Sequence, residues 1–173
     1  MAAREWVSSH SLYNQRAKKL RFILTVLLTF WSARTFAICA QVENAVLNVF
    51  PLELHQSAGI IANIQAESNC KHDAVGDQGR AVGLLQLHLP RQKDFKAVMG
   101  MDIKESGIPE QITYAMLSSS SGEYGYVMNL MSSSKTACEA GRIWSLHYER
   151  PKRKRHEAKK RCELAETIYG RMK

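Results

Sequence analysis

The sequence has no apolar run long enough to cross a bilayer. Its longest, Phe22 to Trp31, falls short of the ~20 residues a spanning helix needs, and Arg34 blocks an extension. That argues against a permanent transmembrane helix. Cysteine is scarce, with four residues and no CxxC or comparable spacing, and the six histidines form no HExxH-like cluster. No metal site and no cofactor are therefore expected. The chain also lacks an internal repeat and a heptad seam, which excludes solenoids and coiled coils.

What is present suits one domain. At 173 residues and 45% hydrophobic, the chain can bury a real core. The formal charge of +8 is unevenly spread. Six bases lie in the first 37 residues; residues 38–149 carry 8 bases against 12 acids, and 150–173 carry 10 bases against 3 acids. The positive charge of the domain is thus a C-terminal feature.

Residues 1–37 run from a basic stretch through the apolar segment to smaller residues ending at Thr35, Phe36 and Ala37. This is the order of a secretory signal, cleaved near Ala37 or kept as a signal anchor. A periplasmic or secreted location is expected, with membrane contact only through this segment. Ile38 stands where a lipoprotein site before Cys39 would need a small residue. Export makes disulfides admissible. Cys138 and Cys162 lie at comparable distances from Pro151, so an antiparallel hairpin would pair them; buried free thiols are the alternative.

Hydrophobic periodicity predicts a mainly helical α+β domain over 38–173. Helices are expected over Val42–Phe50, Leu54–Asn69, Phe95–Met101, Glu110–Leu117, Tyr124–Met131, Thr136–Tyr148 and a basic C-terminal stretch, Arg153–Tyr169. Gly76, Gly79 and Gly83 punctuate Lys71–Gln86 in the manner of a small β-hairpin. Ser118–Gly122 reads as a short loop. Gly59, inside the second helix, marks a close helix contact.

That second helix carries the chemistry. Ile60, Ile64 and Glu67 are spaced i, i+4, i+7, so a carboxylate falls on the apolar stripe. Desolvation raises a carboxyl pKa, which is what a general acid needs near neutral pH. The bland alternative is a helix-end charge reaching solvent.

Several motifs follow in order: IANIQAESN with Glu67-Ser68, GDQGRAVGLLQL from Gly76 to Leu87, Arg91, Gln111-Ile112-Thr113-Tyr114, and Tyr148-Glu149-Arg150-Pro151. Over about residues 54–170 the chain resembles the lysozyme-like superfamily. It is most similar to phage tail lysozymes, with features of goose-type lysozymes and soluble lytic transglycosylases. The resemblance implies an exported muramidase that cuts peptidoglycan glycan strands between N-acetylmuramic acid and N-acetylglucosamine, with Glu67 as general acid. Two alternatives stay open: a lytic transglycosylase of an envelope-spanning machine, and a non-catalytic wall-binding or nucleic-acid-binding protein.

The resemblance also implies roles for other residues. Asp77 matches the Asp of the goose-type pattern and would activate water in an inverting reaction. Asp73 is its rival, and a turn-forming Asp is the plain reading of either. His88 replaces a further goose-type Asp, which puts a three-acid scheme in doubt. Gln86, Ser68 and Tyr148 are expected to bind substrate, although Gln86 as an amide bracing the turn stays equally open. Trp144 is expected in the core. The run Arg150–Arg161 would attract anionic envelope material. Nucleic acid is not expected, because the run has no interleaved aromatics.

Overall fold

The computed structural model describes residues 39–173; the signal-like segment expected over residues 1–37 lies outside them. Helix α1 occupies residues 39–49, and Pro51 follows it. Helix α2, Leu54–Ser68, starts with the Glu53 amide donating to Gln56 Oε1 at 2.9 Å. It stops at Asn69, whose left-handed φ of 54° is one that Asn tolerates. Ile60, Ile61 and Ile64 are fully buried, so α2 is the central core element.

Strands β1 (Val75–Gly76) and β2 (Ala81–Val82) pair antiparallel around a 3-10 turn at Asp77–Gly79. Val82 then bridges to Leu87. The buried amide of Gln111 ties this hairpin to the helices: its Oε1 accepts from the Leu84 amide at 2.7 Å, and its Nε2 donates to the His72 carbonyl at 2.9 Å. A mainly helical domain with a small hairpin after α2 is therefore what the chain forms.

Helix α3 spans Leu89–Met99 and begins six residues ahead of the expected Phe95, because Pro90 sits in its first turn, where a missing N–H costs nothing. Helix α4 spans Ile108–Ser120 and absorbs most of the expected serine loop. Ser120 and Ser121 donate to the carbonyls of Met116 and Leu117 at 2.8 Å each, so the serines cap their own helix end. Helices α5 (Val127–Ser133) and α6 (Ala137–Ile143) follow, then a π-helical segment, Trp144–Glu149, and α7 (Lys154–Met172). The single helix expected over Thr136–Tyr148 is thus two kinds of helix in series.

Helices α2, α6 and α7 meet through glycines. A Cβ on Gly59 would come within 2.6 Å of Ala140 and Gly141, and one on Gly141 within 2.7 Å of the Arg161 carbonyl. Asn63, buried between them, donates to the Gly141 carbonyl at 3.0 Å. Gly59→Ala gains about 1 kcal/mol of helix propensity but loses more by overpacking against backbone. A net loss of about 2 kcal/mol in urea unfolding is expected.

Disulfides link Cys39 to Cys70 and Cys138 to Cys162, the second being the hairpin pair expected across Pro151.

Candidate active site

The close approach of α7 to α2 brings together side chains 94 residues apart. Arg161, 6% exposed, donates from Nη2 to Glu67 Oε1 at 2.7 Å and from Nη1 to Glu157 Oε2 at 3.1 Å. Glu67 lies in the last turn of α2 and keeps about a quarter of its side chain open to solvent, 24%. It is a carboxylate at the edge of the core, anchored by one oxygen. Arg161 was expected among solvent-facing cations of the basic run; instead it turns inward, because Glu67 and Glu157 compensate its charge.

A second carboxylate belongs to this centre, and its role was not read from the sequence. Glu149, half-buried, accepts a hydrogen bond from Trp144 Nε1 at 3.2 Å. Burial pushes its carboxyl up to about 7; Arg91 pulls it down, and the charge of Glu67 pushes it up. The π-helix makes this placement possible. In an α-helix, residues five apart point about 140° from each other, so Trp144 and Glu149 could not meet. The wider turn, with the Arg150 amide donating to the Ser145 carbonyl at 2.9 Å, puts them on one side. A left-handed Arg150 followed by Pro151 then ends the segment.

The raised Glu149 carboxyl has a measurable consequence. The folded protein holds this proton more tightly than the unfolded chain, whose carboxyl has its ordinary value of 4.5. Stability is therefore expected to fall as pH rises from about 4.5 to about 7, the reverse of a salt-bridged acid. Urea unfolding at pH 5 and pH 8 should show this decline in the wild type and a flatter profile in Glu149→Gln.

Arg91 lies between aromatic faces, with its guanidinium 4.3 Å from the Tyr148 ring centroid and 5.0 Å from that of Tyr124. Tyr148 is 1% exposed, stacks on Trp144 at 4.2 Å and shares a hydrogen bond of 2.7 Å with Ser118. The expected division, Tyr148 at a cleft and Trp144 in the core, is replaced by both in the core. Burial raises the Tyr148 hydroxyl to about 12, so this side chain stays neutral and supports Arg91.

Ser68 is buried, and its hydroxyl donates to the Ile64 carbonyl at 3.0 Å, which leaves it inside α2. Gln86 has a left-handed φ of 46° and donates from Nε2 to the carbonyls of Gly83 at 2.9 Å and Ala74 at 3.3 Å. It braces the hairpin. A Cβ on Gly76 would lie 2.2 Å from Gln86 Oε1, so a larger residue there would displace the bracing amide. Asp77 forms the hairpin turn at a φ of 48°, half of its side chain exposed, with Arg80 donating to Oδ1 at 2.9 Å and His88 3.8 Å from Oδ2. Asp77, Arg80 and His88 thus form an exposed cluster, while Glu67, Arg161 and Glu149 form a half-buried one. Asp73 has no ion pair among the described residues.

Among the described residues, no three His, Cys, Asp or Glu side chains converge to hold a metal ion, and no helix is long and apolar enough to cross a membrane. The half-buried cluster offers a carboxylic acid and a fixed positive charge, the parts needed for proton transfer to a leaving oxygen.

A family model for phage tail lysozyme matches residues 43–172. No curated protein and no solved structure matches the chain.

Proposed function

The chain belongs to the phage tail lysozyme family, and we propose that it cuts peptidoglycan at the β-1,4 bond between N-acetylmuramic acid and N-acetylglucosamine, with Glu67 as general acid. Family membership carries a lysozyme-like, wall-degrading activity; the bond and the residue are the proposal. The observation that carries it is the setting of Glu67, held through Oε1 by a buried Arg161 at the solvent edge of the core helix.

Glycosidic cleavage needs a proton on the leaving oxygen and stabilisation of an oxocarbenium-like transition state. In this reading Glu67 gives the proton, and Arg161 fixes its side chain so that the other oxygen faces the substrate. Glu149, carrying its own proton up to about pH 7, limits negative charge behind Glu67. Export belongs to the same proposal: the signal-like order of residues 1–37 would bring the enzyme to the wall, and two disulfides suit an oxidising compartment.

The second step separates two chemistries. Hydrolysis needs a water activated by a second carboxylate, for which Asp77 is the candidate. Lytic transglycosylation needs none, because the muramyl 6-hydroxyl attacks. The engagement of Asp77 by Arg80 favours the second reading. Mass spectrometry of muropeptides released from purified peptidoglycan tests both: reducing ends indicate hydrolysis and anhydro ends transglycosylation. No released fragment at all would sink the proposal.

A further inference from the structure

The basic run has one side that the Glu67 centre does not use. Three grooves open beside Leu146 in the π-helical segment. The first, about 400 Å³, is lined by Arg142, Leu146, Arg155, Ala158, Lys159 and Cys162. The second, about 510 Å³, shares Leu146 and reaches Lys154. The third, about 450 Å³, shares Arg142 and Leu146 and includes Glu139; no acidic side chain lines the first two. Arg142, Lys154 and Arg155 make no ion pair among the described residues.

Helical spacing separates this face from the catalytic one. Arg155, Ala158, Lys159 and Cys162 are spaced i, i+3, i+4, i+7 and form one stripe of α7. Glu157 and Arg161 lie about 150° and about 110° from the middle of that stripe, with Ala158 the member that adjoins Arg161. A partner on the first stripe leaves Glu67 uncovered.

The floor of these grooves is apolar and the rim cationic. A hydrated polyanion would use the rim alone; a nucleic acid would call for stacking aromatics, which the first groove lacks and of which the second offers only Tyr126, its ring already set against His147. Anionic lipid matches both parts: phosphates meet the rim, and glycerol and upper acyl methylenes meet Leu146. We propose that the face formed by α6, the π-helical segment and α7 docks on anionic phospholipid membranes.

The test is co-sedimentation of the full chain with vesicles of phosphatidylcholine, alone or mixed with phosphatidylglycerol. Binding is expected to prefer the mixed vesicles and to weaken with salt. The double variant R155E/K159E should weaken it about 30-fold or more, at about fivefold per basic side chain. The charge-matched K93E/K96E on exposed α3 positions should retain most of it, and Leu146→Gln should weaken it several-fold with charge unchanged. Residues 1–37 carry six bases and an apolar run of their own in every variant, so the proposal is read from the difference between the two double variants rather than from total binding.

No preference for anionic vesicles overturns the proposal, as does equal loss in the two double variants. Binding that is indifferent to Leu146→Gln also overturns it, in favour of a hydrated polyanion. Circular dichroism and thermal melting check each variant, and R155Q/K159Q carries the same test if R155E/K159E does not fold. The assay contains no peptidoglycan, so its result is independent of wall cleavage.

Discussion

Glu67→Gln is expected to slow the clearing of purified peptidoglycan by about 10²–10⁴-fold, the range that a positioned general acid contributes. Glutamine keeps the Oε1 acceptor for Arg161 Nη2 and the length of the side chain, but it has no proton to give. Arg161 also keeps Glu157 at 3.1 Å, so it is not left as an unpaired buried charge. The thermal midpoint should therefore stay near that of the wild type. This separates lost chemistry from lost fold. Clearing at the wild-type rate by Glu67→Gln would remove Glu67 from the mechanism; abolition by Glu149→Gln in the same experiment would move the acid role to Glu149.

The second large effect is on stability. The disulfides close sequence separations of 31 and 24 residues, and restricting the unfolded chain over such loops is worth about 3–4 kcal/mol each. Cys39→Ser/Cys70→Ser and Cys138→Ser/Cys162→Ser are each expected to lower the melting temperature by about 10–15 °C. Reductant should do the same to the wild type and little to the variant lacking both pairs. Their positions make the effect functional. Cys70 follows Glu67 by three residues, and Cys162 is next to Arg161. Each bond fixes the backbone beside one member of the ion pair. A wild type indifferent to reductant would mean that the bonds do not hold the domain together.

Much of this fold was legible because local and tertiary demands agree. Leu54–Asn69 shows its buried stripe and its glycine contact in the residues themselves, and the glycines of Lys71–Gln86 announce a hairpin. Agreement fails where burial overrides local preference. Ser118–Gly122 reads as loop because serine competes with the backbone for hydrogen bonds, but here the hydroxyls turn back on their own helix. The π-helical turn could not be read from an α-period, which aims Glu149 away from Trp144. The wider turn is accompanied by Trp144 stacking on Tyr148 and by Tyr148 facing Arg91. Arg161 was equally hidden. Within a run of bases nothing local distinguishes the one that meets Glu67 and Glu157.

The pairing of Glu67 with Arg161 also sets an order of events during synthesis. A nascent chain that has made α2 and the hairpin holds the proposed acid but not its anchor, nor the second sulfur for Cys138. Those arrive together on α7. The candidate centre is thus assembled late, and a truncated product lacking α7 would carry the family motif without this geometry.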